Sequence, residues 1–305
     1  MHRLSLFGFA LLAAGQGAAA QRPVDGGAQL RQIPPVPAAP RSDPDIRVTP
    51  ARPAAVSDTD GAKVAVTTLR LTGQTLFAEK DLIAATGFRA GQGFSLGDLR
   101  ALAAKIADYY NSRGYLLAQA YLPAQSITDG IVTVAVIEGR YGAVTLTNRS
   151  RLKSGVPRHA LDGLDSGDPV SSAPLQRRLL LLSDMPGIAA TSTLAPGTSV
   201  GTSDLLVDVV PGRFVTGSVE ADNAGNRYTG TYRVGGTINL NNPSGHGDVL
   251  SLRVLGSTDH LAYARLSYQT RLGNATVGAA YAHFGYRLGR EFAQIDASGT
   301  ADVVS

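Results

Sequence analysis

The 305 residues contain no cysteine and no tryptophan, only five histidines, and no cluster of lysine or arginine. Without cysteine there is no disulfide framework, no thiolate metal site and no cysteine nucleophile. His2, His159, His246, His260 and His283 stand far apart, in none of the short spacings that hold zinc, so no metal ligand is assigned. The formal charge of +4 is scattered along the chain, unlike a nucleic-acid footprint, and no nucleic-acid partner is expected. P-loop, H-E-x-x-H and G-x-S-x-G patterns are absent, and Gly91-Gln92-Gly93-Phe94-Ser95-Leu96 breaks the dinucleotide fingerprint. No catalytic residue and no cofactor is therefore expected, and an ordinary enzyme is disfavoured. Beyond the N-terminus no stretch reaches 18 apolar residues, so any membrane span of the mature protein must be a β-barrel.

What is present begins with an address. His2-Arg3, the apolar run Leu4 to Ala14 and the small residues Gly17 to Ala20 read as a secretory signal peptide, residues 1–20. As a transmembrane anchor the run is too short. Residues 21–62 hold eight of the sixteen prolines and little apolar periodicity. They read as a disordered, extended tether, with a docking peptide as the competing reading.

From Val64 the texture changes. Val64 to Leu71 is strand-like and Glu79 to Thr86 a short helix; Ser95 and Asp98 then open a longer helix with a capping-box pattern. Leu99, Leu102, Ile106 and Tyr109/Tyr110 form its buried stripe, and Gly114 ends it. Two strands follow, Tyr115 to Leu122 and Ile131 to Ile137, giving the order β-α-α-β-β. The same order recurs 73 residues on: Gly114, Pro123 and Gly139 match Gly187, Pro196 and Gly212. Residues 63–140 and 141–212 are thus predicted to be two copies of one α+β domain. The run Leu179 to Leu182 is assigned to the second copy's core rather than to a partner.

Beyond Gly212 a two-residue period takes over. Val215 to Asp222, Tyr228 to Leu240, Val249 to Gly256, Leu261 to Arg271 and Ala275 to Arg287 alternate apolar with polar or small residues. Such long alternating segments, with tyrosines near their ends, fit the first strands of an antiparallel transmembrane β-barrel over residues 213–305, with a soluble sandwich as the alternative. Five or so strands cannot close a barrel, so this stretch is expected to be a truncated part of one. On this reading Arg233, Arg253, Arg265 and Arg271 are candidates to line the lumen, with exposed or lattice-paired arginines as the competing reading.

Gly114-Tyr115, then Leu122-Pro123-Ala124-Gln125 with Asp129-Gly130 and Glu138-Gly139, resembles the first polypeptide-transport-associated (POTRA) domain of two-partner secretion transporters, the ShlB/FhaC/HecB or TpsB family. Asp222-Asn223-Ala224-Gly225, Tyr232-Arg233, Asn241 and Gly245-His246-Gly247-Asp248 are similar to the start of that family's barrel. The resemblance implies two periplasmic POTRA domains before an outer-membrane barrel in a diderm bacterium. It also implies one large TpsA-like exoprotein, bound in extended form and exported through the pore. Outer-membrane lipid and, during biogenesis, the barrel assembly machinery are the other implied partners. The family's Arg-Gly-Tyr/Phe motif lies on a later barrel loop; here Arg113-Gly114-Tyr115 is a helix end instead. Some members carry a plug helix, of which residues 21–62 show no convincing trace. An unfolded client is expected to add a strand to an open sheet edge. Tyr115 to Leu122 is the candidate, with Tyr115, Leu117, Gln119 and Tyr121 on its free face; a plain structural strand is the rival. Gln125 and Asp129 are expected to shape the turn. A BamA/TamA-like insertase and a passive porin or adhesin stand as alternatives.

Overall fold

A computed structural model describes residues 45–48, 62–273 and 275–305. The expected signal peptide and any plug helix lie outside the described residues. Asp45–Val48 (β1) interrupts the predicted disordered tether: it is a strand, pairing in parallel with a later one.

The first unit starts with Val64–Val66 (β2) and Thr68–Thr72 (β3). These are two strands rather than one, because Thr67 turns aside to donate its N–H to Gly130 O at 2.8 Å. Then come Glu79–Thr86 (α1), Gln92–Phe94 (β4), Leu96–Ser112 (α2), Gln119–Tyr121 (β5) and Ile131–Ile137 (β6). The capping box forms at the start of α2: Ser95 Oγ accepts from Asp98 N–H at 3.1 Å, and Asp98 Oδ2 accepts from Ser95 N–H at 2.8 Å. At its other end Tyr115 N–H reaches Tyr110 O and Gly114 N–H reaches Asn111 O, a Schellman closure with Gly114 at φ 90°. Leu99, Leu102, Ile106 and Tyr110 are buried against Leu69, Leu71, Val132 and Val134. The sheet order is β3-β6-β5, with β3 parallel and β5 antiparallel to the central strand.

The second unit repeats this arrangement with Arg140–Asn148 (β7), Gly155–Ala160 (α3), Ser172–Ser183 (α4), Ile188–Pro196 (β8) and Thr202–Pro211 (β9). Again the last strand is central, with β7 parallel and β8 antiparallel to it. A shift of 73 carries Gln119–Tyr121 to 192–194 and Ile131–Ile137 to 204–210, inside β8 and β9. Leu175, Leu179 and Leu182 are buried in this unit's own core. One element is extra: β1 lies along the outer edge of β8, Asp45 opposite Thr191 and Val48 opposite Leu194.

A six-stranded meander follows: Val215–Asp222 (β10), Arg233–Asn241 (β11), Val249–Ser257 (β12), Leu261–Leu272 (β13), Ala275–Arg287 (β14) and Ser298–Val304 (β15). Every neighbour is antiparallel and in sequence order. Strand β11 starts at Arg233 rather than the predicted Tyr228, because Asn226 captures the Tyr228 N–H and Gly230 (φ 105°) folds the segment into a loop. Strand β15 was not predicted.

Candidate functional site

Of the residues expected on a free face of β5, Gln119 and Tyr121 are there. Both are exposed, and β5 is an edge strand with α2 packed beside it. Tyr115 and Leu117 are not. The strand begins only at Gln119, since the Schellman turn and the Ala118 N–H to Tyr115 O bond keep residues 115–118 coiled. Tyr115 packs edge-on to Phe77, 5.7 Å between centroids, and Leu117 packs into the core of the second unit.

The family-type motif builds the turn behind that edge. The register sets Gln119 opposite Ile137 and Tyr121 opposite Ala135, so Pro123 would face Thr133 without an N–H to offer. Gln125 supplies what proline cannot: its amide donates to Thr133 O at 2.7 Å and accepts from Thr133 N–H at 2.8 Å. Asp129 and Gly130 both have positive φ, 55° and 68°, and close the tight turn from Thr128 O to Ile131 N–H.

Glu138 is a buried polar centre at the end of the first repeat's central strand, where the chain passes to the second. It is only 4% exposed. Its Oε1 accepts from Thr75 N–H (2.6 Å), Leu76 N–H (2.7 Å) and Tyr110 O–H (2.9 Å). Its Oε2 accepts from the Thr75 hydroxyl and from Arg140 Nη2, the latter at 3.2 Å. Burial would raise its pKa, but the hydrogen bonds from Thr75, Leu76 and Tyr110 outweigh that and hold it below the usual carboxylate value. Glu138-Gly139 stands out in the sequence as a motif, whereas nothing there links it to Thr75, Tyr110 or Arg140; only the fold brings them together. Gly139, at φ 70°, lets Leu117 approach: a Cβ there would sit 2.6 Å from the Leu117 Cβ.

Equivalent glycines make both joints. A Cβ on Gly114 would meet Ser172 Oγ of the second unit at 2.7 Å. A Cβ on Gly187, 73 residues on, would meet Asn241 O of the meander at 2.8 Å. The second joint is also held by Lys153 N–H on Gly245 O (2.9 Å) and by Arg151 over the Phe214 ring at 4.6 Å. The turn carrying Gly245-His246-Gly247 folds around buried Asp248, which accepts backbone N–H groups from Ser244 and His246.

On the meander, Arg233 and Arg253 lie on its better-buried face, each only about 3–4% exposed. Arg233 Nε donates to Asp222 Oδ1 at 2.8 Å, and Arg253 Nη2 to Glu220 Oε1 at 2.5 Å. Arg265 is half-buried directly opposite Arg253. The reading of Arg271 as a lumen residue is corrected. Its guanidinium donates to Leu181 O at 2.9 Å, so it clamps the last turn of α4 to the meander, where a cation suits the helix C-terminus. The opposite face carries Val219, Val234, Ile238, Leu252, Val254 and Leu266, all exposed, as a surface facing lipid requires. No described helix is long and apolar enough to cross a membrane, which says nothing of strands.

Two β-α-α-β-β repeats feeding an antiparallel meander of long strands define a POTRA-bearing β-barrel protein of the outer membrane. A model of the ShlB-type POTRA domain matches residues 64–139, and a model of the haemolysin secretion/activation protein ShlB/FhaC/HecB matches residues 201–302. The chain belongs to the ShlB/FhaC/HecB family. It is 34% identical over 215 residues to the heme/hemopexin transporter protein HuxB of Haemophilus influenzae (strain 86-028NP), covering 68% of this chain and 38% of HuxB. It is 27% identical over 221 residues to the outer membrane transporter CdiB of Escherichia coli O6:K15:H31 (strain 536 / UPEC), covering 72% and 37%. A solved structure of CdiB from Escherichia coli shares the fold at a TM-score of 0.65 and 21% identity, over 83% of this chain and 48% of that one. The chain thus spans less than two fifths of the length of these curated relatives.

Proposed function

We propose that this protein is the outer-membrane transporter of a two-partner secretion system. The POTRA pair takes up one large, unfolded, β-helical exoprotein of the adhesin or haemolysin type, and the barrel passes it to the exterior. Relatives of this chain are transporters rather than enzymes, and the insertase and porin alternatives are not favoured.

The observation that carries the reading is the pair of equivalent sheet edges. In the second repeat, β8 already accepts an added strand, β1. In the first, the matching edge of β5 carries no strand among the described residues and presents Gln119 and Tyr121. Edge pairing uses backbone N–H and C=O groups, which every unfolded client has whatever its sequence. Client binding at β5 is centred on Gln119 and Tyr121; Tyr115 and Leu117 serve the packing beside it. Arg233, Arg253 and Arg265 form part of the wall past which the client moves.

The absence of cysteine from these 305 residues gives a clean test. Gln119→Cys and Tyr121→Cys each place a thiol on the edge, and the secreted partner is scanned with single cysteines. Disulfides that recur at every second client position show strand addition. A pattern without that period, or none at all, removes β5 as the docking edge.

A further inference from the structure

The lipid-facing surface of the meander carries a trough. Its orientation follows from the joint with the second repeat: the β11–β12 turn and Arg271 touch that repeat, so they mark the periplasmic end. The loops before β11, β13 and β15 then lie at the external end. Cross-strand register lays the outward residues out in rows. A bulky row reads Leu252, Leu266, Tyr281 across β12, β13 and β14. The next row outward reads Val254, Ala264, His283 and, on β15, Asp302. The outermost reads Gly256, Ala262, Gly285. The outermost row of small residues, with Ala264 in the row below it, leaves a hollow above the bulky row, bounded by Val234, Val254 and His283.

That hollow has a polar flank where lipid hydrocarbon offers no hydrogen bonds. His283 Nδ1 meets Asp302 Oδ1 at 2.9 Å, and the Tyr281 hydroxyl donates to the same oxygen at 2.6 Å. In the tautomer whose Nδ1–H is donated to Asp302, Nε2 is the ring's acceptor. Nε2 leans toward the external end: it is 4.0 Å from where a Gly285 Cβ would be. His283 lies four residues below Arg287, the last residue of β14, which for a tilted strand is a depth of about 10 Å. Counted along β14, that sets the hollow in the external half of the wall. Ionisable groups within a membrane span mark functional positions, and an apolar hollow beside an acceptor needs an amphiphile to fill both.

We infer that this trough is a binding site for a hydroxyl-rich glycolipid of the outer leaflet. An acyl chain lies over Gly256, Ala262 and Ala264, and a head-group or acyl hydroxyl donates to His283 Nε2. The trough is continuous with the lipid-facing wall, so the membrane delivers this occupant without a separate encounter. The inference rests on the outer-membrane location and stands whether or not the exoprotein reading holds.

The test uses the full-length protein in nanodiscs of phosphatidylethanolamine and phosphatidylglycerol, doped with lipid A, and counts retained lipids by native mass spectrometry. The wild type is expected to keep lipid A over phosphatidylglycerol by about tenfold, the worth of one well-placed hydrogen bond in a dry site. His283→Leu and the trough-filling Ala264→Phe are expected to bring that preference to within about twofold of unity. Val219→Phe, on the same face but outside the trough, is expected to leave it unchanged. Folding of each variant is read from its heat-modifiable mobility, and Gly285→Leu replaces any variant that does not fold. A wild type without preference, meaning only a general lipid annulus, overturns the inference. So does full retention by the folded His283 and trough variants.

Discussion

Replacing Glu138 with glutamine keeps the size of the side chain and removes one of the two oxygens on which the first repeat's buried hydrogen bonds converge. Five donors meet the carboxylate: Thr75 twice, Leu76, Tyr110 and Arg140. The amide oxygen can retain the three on Oε1, whereas its NH2 group would face the Thr75 hydroxyl and the Arg140 guanidinium. Hydrogen bonds to a charged acceptor are worth about 1.5–3 kcal/mol each, and the Arg140 contact is discounted because that side chain is 39% exposed. The expected loss is about 3 kcal/mol, or roughly 6–12 °C in the melting temperature of a fragment covering both repeats. Glu138 has a depressed folded-state pKa, so its stabilisation is fully present above the unfolded value of about 4.3 and is lost as pH falls through the lower folded value. Melts of residues 63–212 followed by circular dichroism should therefore show a constant gap between wild type and E138Q above about pH 5, closing in stronger acid. Tyr110→Phe, which removes one donor and leaves the charge, should cost about 1–2 kcal/mol and keep the acid dependence. A gap below about 0.5 kcal/mol at pH 7, or one that does not narrow in acid, would refute the reasoning.

Gln125→Ala removes both bonds to Thr133 at an exposed site and should cost about 1 kcal/mol, measured by urea titration of the same fragment. Gly187→Val forces a branched side chain to φ 75° and against Asn241 O; limited proteolysis should then cut between the second repeat and the meander faster, while Gly163→Val leaves the rate at that joint unchanged. Arg253→Leu strands Glu220 on the wall and should lower the temperature of heat modification, whereas the double variant with Glu220→Leu should recover most of it. Arg271→Ala should loosen the same joint without changing the barrel's own heat modification.

The repeat was legible because each copy carries the same punctuation: a glycine after the long helix, a proline after the edge strand and a glycine after the central one. Helix α2 was legible through Ser95, Asp98 and a stripe of apolar residues, all local signals. The short β5 was not, because the Schellman closure at Gly114 consumes the next residues, and Leu117 is drawn off by a core that sequence neighbours do not reveal. Cross-strand register sets Arg233, Arg253, Arg265 and Arg271 on one face, as alternation suggests. Period alone does not register that the end of β13, at Arg271, has met Leu181 of another unit. Strand β1 escaped because its pairing is with β8, some 146 residues away, and four residues in a proline-rich setting carry no pattern of their own. Thr75, Tyr110 and Arg140 carry no motif either; the clue available was a glutamate in an otherwise apolar strand end, which must find donors if it is buried.

The transporter reading is tested most directly by deleting the native gene and comparing the culture supernatant and the outer-membrane proteome with those of the parent. The expected result is the loss of one or two large secreted proteins, restored by the wild-type gene, with the set of outer-membrane barrels unchanged. A broad loss of outer-membrane barrels with no specific loss from the supernatant would contradict it.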